Sequence, residues 1–131
     1  MALQVTAIML GVKDLGRSSA FFTELGLPFF GQAEDMASVI ISEHTQVMLL
    51  TETTFASYAR HGVADATSGT EVILVLGVET REQVDELAGK AEAAGGGPVG
   101  QPRDDGYRYQ RGFTDLDGHH WEVLCLIEPA S

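Results

Sequence analysis

An internal duplication is the feature that most constrains how this chain can fold. Several short landmarks recur in the same order in the two halves of the 131-residue sequence. The matching pairs are Gly11-Val12 with Gly77-Val78, Gly26 with Gly96, Pro28 with Pro98, and the run 47–50 with 121–124. Their spacing drifts from 66 to 70 and then to 74 residues, as unequal loop lengths would produce. The sequence therefore predicts one structural unit used twice.

The predicted order of secondary structure is also the same in each half. Eight runs rich in apolar and β-branched residues predict strands, at 5–12, 28–31, 36–41, 45–50, 71–78, 99–101, 107–114 and 119–127. The first helix is predicted to begin after Asp14 as its N-cap and to stop at Gly26. The second begins at Thr80, where Gln83 completes a capping box. A short helix is predicted at 53–60 as well. One strand–helix–strand–strand–strand half is too small to bury both faces of its sheet, so the halves must associate with each other or with another copy of the chain.

Charge and composition narrow the partners. Eight Lys and Arg stand against nineteen Asp and Glu, for a formal net charge of -11. Such a surface repels phosphate backbones and anionic lipids, so we expect neither nucleic-acid nor membrane binding. The N-terminal run predicts a strand and has no signal-peptide character, and the single cysteine, Cys125, excludes an intrachain disulfide. These features favour a cytoplasmic protein.

Three stretches of the chain resemble the vicinal oxygen chelate superfamily, which includes glyoxalase I, extradiol dioxygenases and bleomycin-resistance proteins. They are the strand-to-helix junction at 11–18, the second strand and helix at 71–95, and the run 113–122. The last resembles the family's D-P-D-G-x-x-x-E motif, with Leu116 in place of proline. The resemblance implies an α+β fold in which two βαβββ modules, 1–62 and 70–128 of a single domain, form a curved mixed sheet or half-barrel around a cavity. It also implies a homodimer.

Enzymes of this family hold one divalent metal, with His or Gln on the first strand and Glu on the last strand of each module. Carried onto this sequence, the four positions are Ala7, Met48, Ile73 and Glu122. A divalent ion needs about three or more nitrogen or oxygen ligands from the protein, and only Glu122 supplies one. Moving a strand by one residue does not improve the set. The sequence therefore predicts a cavity without the usual metal, although a divalent metal held by Glu122 and other ligands stays possible.

Strand alternation indicates which other side chains accompany Glu122. His120 shares its strand face, and Glu71 shares a face with Ile73 on the first strand of the second half. On the strand 107–114 one face carries Arg111 and the other carries Arg108 with Gln110, and we expect the arginine on the inward face to pair with Glu122 or with an anionic ligand. Glu122 is a candidate general base or hydrogen-bond anchor; alternatively, Glu122 and Arg111 form a purely structural ion pair.

The sequence thus predicts a small-molecule-binding protein of the glyoxalase and bleomycin-resistance type with a largely apolar cavity. The expected ligand-binding residues are His120, Glu122, Arg111, Glu71, Met48, Ala7 and Ile73. The alternative is an enzyme of the same superfamily, a lyase, isomerase or dioxygenase that uses Glu122 as metal ligand or general base. A structural module with a filled barrel is a third reading. Fold alone does not separate these functions.

Overall fold

The chain forms two compact units, as the duplication predicts. A computed structural model describes residues 1–127. The first unit ends at Asp65 and the second begins at Ala66. The predicted modules fall one on each side of this boundary, and position 128, the predicted end of the second, lies outside the described residues.

The first unit contains one four-stranded mixed sheet. Its strands are β1 (Ala7–Val12), β2 (Phe29–Ala33), β3 (Met36–Ile40) and β4 (Gln46–Thr51). Helix α1 (Leu15–Glu24) connects β1 to β2, and α2 (Glu52–Tyr58) follows β4. The order in the sheet is β1-β4-β3-β2, with β1 parallel to β4 and the other neighbours antiparallel.

The second unit repeats this topology. Its strands are β5 (Ile73–Gly77), β6 (Gly97–Asp104), β7 (Arg108–Thr114) and β8 (His120–Leu126), and α3 (Arg81–Ala93) connects β5 to β6. The sheet order is β5-β8-β7-β6, again with only the first pair parallel. The predicted fold class, α+β with two βαβββ modules, is confirmed.

Helices α1 and α3 begin where the sequence predicted, because their caps are local signals, and α2, predicted at 53–60, runs from Glu52 to Tyr58. The Asp14 side chain accepts a hydrogen bond from the backbone N–H of Arg17 at 3.0 Å. The Thr80 hydroxyl accepts one from Gln83 N–H at 3.1 Å, and the Gln83 side chain accepts one from Thr80 N–H at 3.1 Å. This reciprocal pair is the predicted capping box.

Each sheet has one apolar face buried in the core of its own unit. In the first unit Leu10, Val39, Val47 and Leu49 lie on that face, and Phe21 and Phe22 of α1 are buried as well. In the second unit Trp121, Val123 and Cys125 of β8 alternate with less buried residues, and Val84, Ala88 and Ala91 of α3 are buried. This alternation decides which side chains remain on the opposite face. None of the helices in the described part of the chain is long and apolar enough to cross a bilayer.

Candidate functional site

The opposite face of the second sheet carries the polar residues of the candidate site, and we call it the Glu122 face. Glu122 lies across from Val75 on β5 and Gly112 on β7, and His120 lies across from Ile73 and Thr114. Side chains at paired positions point to the same side of a sheet. His120, Glu122 and Ile73, which the sequence placed together, therefore share this face.

The Glu122 carboxylate contacts two side chains of its own sheet. Gln110 on β7 donates a hydrogen bond from Nε2 to Glu122 Oε1 at 2.6 Å. His120 Nε2 lies 2.5 Å from Glu122 Oε2. The two side chains are mostly buried, with 17% of His120 and 14% of Glu122 exposed. A buried carboxylate requires such partners, because an ionised group removed from water without them is costly.

Gly112 provides the space in which the carboxylate lies. A Cβ atom at this position would lie 3.0 Å from the Glu122 carboxyl carbon and 3.0 Å from Val99 Cβ, and closer still to Glu122 Oε2. Real Cβ atoms do not approach other atoms this closely, so any side chain at 112 displaces the Glu122 carboxylate or β6. Gly112 is thus a structural requirement for the position of Glu122.

The equivalent face of the first sheet lacks this cluster. Ala7 and Met48 do share one face there, with Met9 paired to Met48 and Ala7 paired to Gln46. Across from Met48 lies Ser38, in the place that Gly112 occupies opposite Glu122. The pairings in the two sheets match through the 74-residue offset. They support the equivalence of Met48 and Glu122 derived from the sequence.

Arg111 does not lie beside Glu122, and the predicted ion pair between them is wrong. Arg111 pairs with Val123 across β7 and β8, which places it on the face that packs against α3. Its guanidinium lies 3.2 Å from Asp85 and 3.4 Å from Glu92, both on α3. The described arginines on the Glu122 face are Arg108 and Arg103. Arg103 on β6 pairs with Gln110 on β7, and Arg108 lies two residues before Gln110 on β7, so both share the face of Gln110.

Around Arg111, hydrogen bonds from β7 to α3 change the pKa of Asp85. The Tyr109 hydroxyl donates to Asp85 Oδ1 at 2.6 Å. This bond, and then the Arg111 guanidinium, lower the pKa of Asp85, while the same bond raises the pKa of Tyr109. The cluster holds α3 to its sheet and is separate from the Glu122 face.

Glu71 is exposed and precedes β5, which begins at Ile73, so the strand alternation used to place it with Ile73 does not extend to it.

The turn at 115–118 has a buried carboxylate of its own. Asp115 accepts hydrogen bonds from the Trp121 indole at 3.1 Å and from the backbone N–H groups of Asp117 and His119 at 3.0 Å each. Burial raises the pKa of Asp115 despite these bonds. Asp115 thus fixes the turn that leads into β8.

The donor set at the four family positions does not fit a divalent metal. Glu122 supplies a carboxylate, Met48 a thioether, and Ala7 and Ile73 hydrocarbon only. Both oxygens of Glu122 also contact side chains of the protein. Within residues 1–127, no three His, Cys, Asp or Glu side chains are grouped as metal ligands.

Sequence reasoning missed Gln110 and Gly112 as members of the site. Counting outwards from the predicted turn at 115–118 pairs Arg111 with Glu122, but the connection is one residue longer, since β7 ends at Thr114 and β8 begins at His120. The observed register pairs Thr114 with His120, Gly112 with Glu122 and Gln110 with Leu124. That register assigns Gln110 to the Glu122 face and Arg111 to the other.

The fold and the site define an α+β protein of two βαβββ modules with a polar cluster around Glu122 on the second sheet. Comparison with known proteins identifies its family. The model of the Glyoxalase/Bleomycin resistance protein/Dioxygenase superfamily matches residues 4–123. The chain belongs to this family. No match was found among curated proteins.

Solved structures with a similar fold include proteins of this family and proteins of other descriptions. A hypothetical protein from S. aureus has 32% sequence identity and a TM-score of 0.83, with 95% of each chain covered. A lactoylglutathione lyase from Agrobacterium tumefaciens has 17% identity and a TM-score of 0.71, covering 95% of this chain and 94% of its own. TnmS3, an antibiotic binding protein from Streptomyces sp. CB03234, also has 17% identity and a TM-score of 0.71, covering 97% of this chain and 99% of its own. At 17% identity the last two show the fold alone.

Proposed function

We propose that the chain is a small-molecule-binding protein of the glyoxalase and bleomycin-resistance type, and that it binds a largely apolar molecule without a metal ion. We also propose that it works in the cytoplasm as a homodimer. The observation that carries the proposal is the position of Glu122, whose two carboxylate oxygens contact Gln110 and His120 of its own sheet.

The apolar residues next to this cluster supply the affinity in this proposal. Ile73 and Val75 lie across from His120 and Glu122 and are 49% and 54% exposed. Covering apolar surface contributes about 25 cal/mol per Å² removed from water. A few polar groups among apolar ones, here His120 and Glu122, then orient the ligand. The antibiotic binding protein TnmS3 has the same fold, which supports a binding role for such a chain.

The second candidate is an enzyme of the same superfamily, a lyase, isomerase or dioxygenase. The contact between His120 Nε2 and Glu122 Oε2 at 2.5 Å favours it, since an imidazole–carboxylate pair can transfer protons. In this alternative Glu122 acts as general base or as a metal ligand.

Metal analysis separates the two. The purified chain is assayed for bound metal, and its melting temperature is measured with Ni, Zn, Mn and Fe. Glu122→Ala is compared with Glu79→Ala, which removes an exposed carboxylate of the same unit. We expect no stoichiometric metal and no stabilisation that depends on Glu122. Stoichiometric metal that is lost in Glu122→Ala but retained in Glu79→Ala contradicts the metal-free proposal and favours the enzyme.

Ligand binding is tested directly by native mass spectrometry of the purified chain and by thermal shifts against apolar compounds. Val75→Asp places a charge opposite Glu122, whereas Val72→Asp places one at a similarly exposed position outside β5. We expect Val75→Asp to abolish the shifts and Val72→Asp to retain them. Equal responses of the two variants contradict binding at the Glu122 face.

A further inference from the structure

The hydrogen bonds around Glu122 indicate which side chain contacts the ligand, and this inference rests on the proposed function. We propose that His120 accepts, through Nδ1, a hydrogen bond from a neutral, weakly acidic hydroxyl group of the ligand, such as a phenol or an enol. Glu122 is then a positioning residue for His120, and Gln110 and Gly112 position Glu122.

The first step concerns the hydrogen bond from Gln110. The Gln110 amide nitrogen lies 2.6 Å from Glu122 Oε1. An amide NH₂ group donates and does not accept, so Oε1 is the acceptor in this contact. Gly112 leaves room for the Glu122 carboxylate against β7. The hydrogen bond from Gln110 fixes Glu122 Oε1, and Glu122 Oε2 contacts His120 Nε2. Both oxygens are thus engaged before any ligand arrives.

The second step is the tautomer of His120. Because Nε2 lies 2.5 Å from a carboxylate oxygen, we assign its hydrogen to Nε2, where it is donated to Glu122. In the neutral ring the other nitrogen, Nδ1, is then an unprotonated acceptor. The His120 side chain is 17% exposed. Among the side chains that the structure describes, the buried nitrogen and oxygen atoms without a partner are Arg108 Nε and Gln110 Oε1, and His120 Nδ1 is not one of them.

The third step is the chemistry of the ligand. An acceptor such as Nδ1 requires a donor, which excludes ethers and ionised carboxylates as its partner. An ammonium group carries three N–H donors, and the adjacent side chains of Ile73 and Val75 offer no acceptor for them. A neutral hydroxyl group on an apolar or aromatic body fits both Nδ1 and the adjacent Ile73 and Val75.

The experiment uses para-nitrophenol and para-nitroanisole as probes, which differ in the O–H group. Calorimetry gives the two affinities. We expect nitrophenol to bind about ten-fold more tightly, as one hydrogen bond of about 1.4 kcal/mol allows. His120→Gln removes the preference, whereas His61→Gln, a change at an exposed histidine, retains it. Glu122→Gln, which weakens the contact that orients His120, reduces the preference for nitrophenol.

Two results overturn the inference but leave the proposed function intact. They are equal affinity for the two probes, and a nitrophenol preference that survives in His120→Gln. If neither probe binds, the inference also fails, while the proposed function retains its separate test with co-purified ligand. Should His120→Gln not fold, the nitrogen chemical shifts of the His120 ring in the wild-type chain decide. Nitrophenol must shift Nδ1 and nitroanisole must not.

Discussion

Replacing Gly112 by alanine tests the geometry on which the candidate site depends. The added Cβ would lie 3.0 Å from the Glu122 carboxyl carbon and 3.0 Å from Val99 Cβ. If the carboxylate stays, the overpacking costs about 1–3 kcal/mol. If it moves, it loses the hydrogen bond to Gln110 and the contact with His120, and a bond to a charged group contributes about 1.5–3 kcal/mol. Either response lowers the free energy of unfolding by about 1–3 kcal/mol.

The assay is thermal unfolding of the full chain, followed by circular dichroism. At about 4 °C per kcal/mol for a chain of this size, we expect the melting temperature of Gly112→Ala to fall by about 4–12 °C. The matched control is Gly77→Ala on β5 of the same sheet, where an added Cβ meets no atom within 4 Å. Its free energy of unfolding should change by no more than about 0.5 kcal/mol.

A double-mutant cycle identifies the source of the loss. In a Glu122→Ala background the carboxylate is absent and only Val99 opposes the new Cβ, so Gly112→Ala should cost less than half as much as in the wild type. If Gly112→Ala costs the same in both backgrounds, or no more than Gly77→Ala, then Glu122 does not lie over Gly112 and the site is wrong.

Three other predictions concern stability. Asp115→Ala leaves the Trp121 indole N–H and two backbone N–H groups without their acceptor, so urea unfolding should show a loss of about 2–3 kcal/mol. Burial raises the pKa of Asp115 above 3.8, so the contribution of this group to the free energy of unfolding is complete below pH 3.8 and is lost as pH rises through the folded-state pKa. When the free energy of unfolding is measured over a pH series, Asp115→Asn should not show this loss. Asp85 behaves oppositely, since the Tyr109 hydrogen bond lowers its pKa: its contribution is present above pH 3.8 and is lost as pH falls through the folded-state pKa. With 52% of its side chain exposed, Asp85→Asn should cost at most about 1 kcal/mol near neutral pH and nothing in strong acid. Thr80→Ala removes the cap of α3 and should cost about 1 kcal/mol in thermal unfolding, and an unchanged melting temperature would contradict the capping box.

The fold was predictable because its signals are local and occur twice. Asp14 and Thr80 mark the helix starts through side-chain bonds that span three residues. Strand β6 was predicted less well: 99–101 was expected, and the strand runs from Gly97 to Asp104. Pro98, Gly100 and Pro102 indicate a loop in the sequence. They are tolerated because β6 is an edge strand with an irregularity between Val99 and Arg103.

The site was predictable only in part, because it depends on the register between strands. Alternation along one strand places His120 with Glu122 without knowledge of any neighbour. Alternation also separates Arg111 from Arg108 and Gln110, but it does not say which set lies beside Glu122. That choice is made by the pairing of Gly112 with Glu122, and a slip of one residue would reverse it. The prediction for Arg111 was wrong at this step.

The duplication explains why the polar residues occur as a group. The 74-residue offset equates Gln110, Gly112 and Glu122 with Met36, Ser38 and Met48 of the first sheet. A mostly buried carboxylate needs donors and space, and Gln110 and Gly112 provide these for Glu122. The Met48 side chain needs neither donors nor space of this kind, and Met36 takes the place that Gln110 has in the second sheet. The two halves therefore differ as sets of interacting residues: one presents an oriented imidazole and carboxylate, and the other a flexible apolar surface.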